Sequence, residues 1–177
     1  MTAGGPTIER RVAPELRVAG RRLEGYAAVF AGEARIADFV EVIAPGAFAT
    51  SLRQSKDILA LVDHDPGRLL ARTKSGTLEL REDAKGLAFT LQVPDTQAGR
   101  DVLALAERGD LGGMSFGFTV PKGGERWQGN RRELRQVDLR EISVVSAWPA
   151  YEGTTVAARS RPPARLALAR RYLETVK

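Results

Sequence analysis

Gly112-Gly113-Met114-Ser115-Phe116-Gly117-Phe118 sets one hydroxyl among glycines and large apolar side chains. Read as a strand, alternate side chains leave the chain on opposite faces. Met114, Phe116, Phe118 and Val120 then point into a core, and Ser115, Gly117 and Thr119 point the other way. Gly113 and Gly117 leave space on either side of Ser115, wide enough for a second chain to pass close to the hydroxyl. On this segment alone the plainer reading is a strand leaving a glycine-rich turn, with Ser115 solvated.

Just upstream the period changes from two to that of a helix. Asp95 or Thr96 can serve as N-cap, and Ala98, Val102, Leu105 and Ala106 share one helical face. Gly109 stands where a C-cap glycine belongs, so a helix of about three turns leads into the Ser115 strand. Elsewhere short alternating or apolar runs at 23–30, 39–43, 58–64, 69–73, 77–81 and 87–92 read as strands. Turns at 65–67, 74–76 and 82–86 separate several of them, and 47–52 reads as a short helix. Beyond Pro121, residues 122–130 read as a polar hairpin loop, 133–137 as a returning strand and 139–147 as the last apolar strand, with 148–151 closing the body. The expected class is mainly β (α+β): an antiparallel β-barrel with a few surrounding helices.

A chain of 177 residues fits one domain. It has no cysteine, which excludes disulfides, thiol catalysis and cysteine-ligated zinc. It has no run of 18 apolar residues and no signal-like apolar segment at its start, so no membrane association and a cytoplasmic setting are expected. The net charge of +5 is uneven: residues 1–22 carry +3, residues 157–177 carry +5 and the body between carries −3. The boundaries expected from this are a mobile basic arm over 1–22, a folded body over 23–156 and a basic tail over 157–177. Nucleic acid is an expected partner only through those basic ends, because the body has no basic stripe with interleaved aromatics.

His64 is the only histidine, at the end of the apolar run 58–64. A lone histidine there is most simply structural. Its neighbours Asp63 and Asp65 suggest a metal site, but alternation sends them to the face opposite His64, and no second histidine exists, so no metal or cofactor is expected. Gly113-Met114-Ser115-Phe116-Gly117 also matches the G-x-S-x-G nucleophile elbow. That elbow needs strand, turn, then helix, with the histidine last; here the order is reversed, and the elbow reading is rejected.

A serine hydrolase of another architecture needs a base beside Ser115 and a carboxylate to orient it. His64 is the only imidazole. Glu141 is a carboxylate out of place in an apolar strand, on the same face as Ser143 and Val145. Such a group needs a partner. Arg140 or Arg135 would make it structural; His64 would make it functional.

The segments 23–30, 43–48, 61–65, 114–118 and 141–151 together resemble the prohead (procapsid maturation) serine proteases of tailed phages, a family similar in fold to the herpesvirus assemblins. They run in family order and span about residues 23–156. The resemblance implies a herpesvirus-protease-like fold, with Ser115 as nucleophile, His64 as base and Glu141 as orienting acid. It implies an endopeptidase that cleaves scaffold protein, or the scaffolding segment of the major capsid protein, and itself. Such an enzyme would act inside the assembling procapsid in the host cytoplasm, and would self-associate. The backbone amides around 146–151 are the expected oxyanion donors, and the basic tail is the expected scaffold-docking or self-removed segment. The alternative is a non-catalytic β-barrel that binds scaffold or capsid.

Overall fold

In the computed structural model, residues 8–13, 16–30, 32–54 and 57–146 are described. The expected tail over 157–177 and the closing segment 148–151 lie outside them. The described residues are mainly β, with thirteen strands, two α-helices and one short 3-10 turn. No helix among them is long and apolar enough to cross a membrane.

The strands form three sheets. The first contains β1 (Glu9–Ala13), β10 (Gly113–Thr119), β13 (Asp138–Val145), β6 (Leu59–Val62) and β7 (Asp65–Arg72), in that spatial order. The second runs β2 (Leu16–Ala19), β3 (Arg22–Val29), β9 (Gly86–Gln92), β8 (Leu78–Glu82). The third runs β11 (Glu125–Gln128), β12 (Arg131–Leu134), β5 (Phe39–Ile43), β4 (Ala34–Ile36). Most pairs are antiparallel, as expected. Two are parallel, β13 with β6 and β12 with β5. Alternation within a strand carries no information about partner direction, so neither parallel pair is visible in the residues.

Helix α2 (Gln97–Arg108) forms where its caps place it: the Thr96 hydroxyl accepts from Gly99 N, and Gly109 takes the left-handed conformation at φ 75°. Val102 buries the apolar stripe. Helix α1 (Ala49–Arg53) is tied to the start of β13 by the buried Ser51 hydroxyl, which donates to Val137 O (2.6 Å) and accepts from Leu139 N (2.9 Å). Met114, Phe116 and Phe118 enter the common core with Ile142 and Val144 from β13 and Leu23 and Phe89 from the second sheet. Phe116 meets Phe48 edge-on at 5.6 Å and stacks on Phe118 at 5.2 Å between ring centroids.

Two expectations are corrected here. Residues 1–22 are not simply a mobile arm, because β1 is the edge neighbour of β10 and β2 pairs with β3. Both strands are short, β1 with five residues and β2 with four, too few for alternation to stand out. The loop expected over 122–130 contains β11, which forms a hairpin with β12.

What fixes β1 is a buried charge network. Arg132 on β12 donates to Glu9 on β1 (2.9 Å), Glu41 on β5 (2.9 Å) and Glu125 on β11 (2.6 Å). Arg11 on β1 donates to Glu41 at 2.7 Å. Burial alone would raise the Glu9 pKa; the Arg132 guanidinium, helped by Arg11, outweighs it and holds the carboxyl below its ordinary value of 4.5. Glu9 therefore adds stability above about pH 4.5, and that stability fades as pH falls through its lower folded value. Removing one partner of a buried pair costs about 3–5 kcal/mol. Arg132→Met should lower the melting temperature strongly at neutral pH. The gap to wild type should narrow on acidification, as the stranded Glu9 carboxylate takes up a proton. Thermal melts of both proteins at pH 7 and pH 4 measure this, and a gap that widens in acid contradicts it.

Candidate active site

β10 and β13 are neighbours, with Ser115 opposite Ser143 and Gly117 opposite Glu141. Directly opposed residues in a ladder share a face, so Ser115, Gly117, Glu141 and Ser143 lie together on the side of the sheet away from Phe116 and Ile142. All seven residues of β10 are buried. Ser115 is 0% exposed, so the expectation of a solvated hydroxyl does not hold.

Glu141 is 7% exposed and both of its carboxylate oxygens are engaged. Oε2 accepts from the Ser143 hydroxyl at 2.5 Å, and Oε1 lies 2.7 Å from His64 Nδ1. The Arg10 guanidinium stands farther off, 3.9 Å from Oε1. Neither arginine considered as a structural partner is used: Arg140 reaches toward Thr119 and Arg135 pairs with Glu133. A carboxylate can only accept, so His64 Nδ1 carries the proton in this pair. Nε2 of the neutral ring is then left as the acceptor, the state a general base requires.

His64 reaches Glu141 by a route that alternation does not predict. The strand ends at Val62, two residues before the expected end, and Val62 pairs with Asp65. Asp63 and His64 form the two-residue loop between β6 and β7, with φ of 51° and 61°. Positive φ at both positions is the type I′ hairpin pattern, usually built from Asn-Gly or Asp-Gly. Here an imidazole occupies the second position, at a cost of about 1–2 kcal/mol in backbone strain. Asp65-Pro66-Gly67, the expected turn, lies instead at the start of β7, where Gly67 N donates to Asp65 Oδ1 at 2.8 Å. Because the chain has left the strand, the face argument for His64 fails, and the turn brings its ring to the β13 carboxylate.

Gly117 supplies the room. A Cβ built there would lie 2.9 Å from Glu141 Cδ and closer still to Oε1. The expected gap beside Ser115 is therefore real, and the Glu141 carboxylate fills it.

His64 and Glu141 are thus brought into contact, with Ser115 on the Glu141 face two ladder positions away. The Ser115 hydroxyl itself makes no hydrogen bond. A buried hydroxyl left in this state costs about 1–3 kcal/mol, and such orphans ask for a functional explanation. Of the expected oxyanion donors, the Ser146 amide is already taken by Asp63 Oδ1 at 2.7 Å, and 147–151 lie outside the described residues. No cluster of metal-ligating side chains occurs among the described residues. The nucleophile-elbow reading stays rejected, since Gly113-Met114-Ser115-Phe116-Gly117 lies within one strand that follows α2. Sequence reasoning did not assign roles to Ser143, Arg10 or Asp63. For Ser143 the signal was present, two residues from Glu141 on one strand face.

The family described as caudovirus prohead serine protease matches residues 10–166. The prohead protease of Enterobacteria phage HK97 is 33% identical over 138 residues, covering 76% of this chain and 58% of that protein's length. No solved structure matches the chain.

Gly117→Ala is expected to push the Glu141 carboxylate away from His64. The chain's single imidazole should lose its hydrogen-bonded Nδ1–H resonance, and stability should fall by about 1–3 kcal/mol. A variant that keeps both the resonance and the melting temperature contradicts the packing described.

Proposed function

The chain belongs to the caudovirus prohead serine protease family, and we propose that it is a serine endopeptidase using Ser115, His64 and Glu141. The observation that carries this is the 2.7 Å contact between His64 Nδ1 and Glu141, on the sheet whose neighbouring strand holds Ser115. In the proposed reaction His64 Nε2 takes the Ser115 proton as Oγ attacks a peptide carbonyl. The tetrahedral adduct collapses, the C–N bond breaks, and His64 returns the proton to the leaving amine. Water then attacks the acyl ester by the same proton path and frees Ser115. Glu141 holds the Nδ1–H tautomer throughout and stabilises the imidazolium formed in each step. The Ser115–His64 hydrogen bond absent at rest forms in the substrate complex, where such contacts tighten.

The substrates in this reading are scaffold protein or the scaffolding segment of the major capsid protein, and the chain itself, inside the assembling procapsid in the host cytoplasm. Self-association belongs to the same reading, as does the closing of the three sheets into a herpesvirus-protease-like barrel, supported by their shared core. The basic tail over 157–177, docking to scaffold, is likewise part of the proposal, and the protease body takes in β1 and β2 along with residues 23–156. One observation favours a non-catalytic capsid-associated protein instead: the Ser115 hydroxyl is buried with no base bonded to it.

Fluorophosphonate labelling separates the two readings. Wild type should label at Ser115 and cleave capsid or scaffold substrate, and Ser115→Ala should do neither. Glu141→Gln should keep the fold and lose about 10³–10⁴-fold in kcat, because the amide no longer fixes the reactive tautomer. Equal cleavage by wild type and Ser115→Ala overturns the assignment.

A further inference from the structure

The loop that presents His64 has no glycine, and both of its residues hold a left-handed conformation that side chains disfavour. Something other than intrinsic preference must hold it there. The Asp63 side chain does this from outside the hairpin. Its Oδ1 accepts from Ser146 N at 2.7 Å and its Oδ2 accepts from Ser146 Oγ at 2.8 Å. Its own amide donates to Val144 O at 2.9 Å. Arg68, on the same hairpin, adds an exposed contact to Oδ2 at 3.0 Å. Val144 ends the run that begins at Glu141, and Ser146 follows β13 directly. The Asp63 contacts therefore join the histidine loop to the strand that carries the histidine's acid.

We propose that Asp63 is a positioning residue for the proteolytic reaction: its clamp on Ser146 holds the 63–64 loop so that the His64 ring meets Glu141. The inference rests on the assignment of His64 as base. It gives Asp63 a task distinct from that of the third catalytic group, since its carboxylate bonds to Ser146 and Arg68 rather than to the imidazole. It also explains why an aspartate suits the first loop position. Asp tolerates the left-handed region, as Asn and Gly do, but only Asp offers two acceptors to the Ser146 amide and hydroxyl.

That distinction designs the test. Asp63→Gly suits the positive φ at least as well as aspartate but removes the clamp. Asp63→Asn keeps the φ preference and one carbonyl acceptor. Ser146→Ala removes the hydroxyl bond and leaves the amide bond. Asp63→Gly should keep its melting temperature, lose about 10- to 100-fold in kcat with KM nearly unchanged, and lose the hydrogen-bonded Nδ1–H resonance of the single imidazole. Asp63→Asn and Ser146→Ala should fall between Asp63→Gly and wild type on both readouts. If Asp63→Gly matches wild type in kcat and in the resonance, the clamp is not needed and the proposal is overturned. If kcat falls while the resonance is unchanged, Asp63 acts other than through His64, and the proposal is also overturned. Failure of the underlying assignment looks different: His64→Ala would then cleave substrate as wild type does, while the imidazole resonance still reports whether Asp63 positions the ring.

Discussion

An ionised carboxylate inside a sheet constrains everything around it. Glu141 sits among apolar neighbours on a central strand, where an unpaired charge would be far more costly than the fold could bear. Both oxygens must be satisfied, and the side chain needs room on a crowded face. Ser143, two residues along the same strand, answers for one oxygen. Gly117, on the neighbouring strand, provides the room by having no side chain. The second oxygen takes the imidazole, and this dictates where the β6–β7 hairpin must turn. The parallel pairing of β13 with β6 makes the match possible, since it carries the end of β6 alongside Val144 rather than to the far end of the sheet.

A second group of buried carboxylates is handled differently. Glu9 and Glu41 are met by two arginines, and the charges nearly balance. That network fastens the first strand to the third sheet and is structural, with every charge spoken for. At Glu141 the nearest guanidinium stays at 3.9 Å, and the close partner is the His64 imidazole at 2.7 Å. Guanidinium groups close the first cluster, and an imidazole closes the second.

The legible parts of the fold are those where one physical signal acts alone. Strand β10 shows its period of two, and α2 carries both caps, so each lies close to its expected place. The face shared by Ser115 and Gly117 follows from alternation and is observed. Other parts were hidden for identifiable reasons. The loop at Asp63-His64 contains neither glycine nor proline, whereas the downstream Asp65-Pro66-Gly67 has all the chemistry of a turn and drew the boundary to itself. The criterion that picked out Glu141, a carboxylate in an apolar strand, applies equally to Glu41 within Phe39-Val40-Glu41-Val42-Ile43. Its partners Arg11 and Arg132 are distant in the chain, so its structural role could not be separated from a functional one without coordinates. The residues alone left Arg140, Arg135 and His64 all open as partners of Glu141; the His64 pairing came with the family resemblance, and the left-handed 63–64 loop that delivers the ring gives no turn signal in the sequence.

The position of β1 has a consequence for access. Strand β10 has β13 on one side and β1 on the other, with Val12 opposite Ser115. Its backbone amides and carbonyls are therefore spoken for on both flanks. A polypeptide arriving at Ser115 cannot dock as an extra rung on that strand while β1 stays in place. It must come in over the flat of the sheet, gripped by loops or by side chains, and selectivity would then be written in those flanking elements rather than in a backbone ladder.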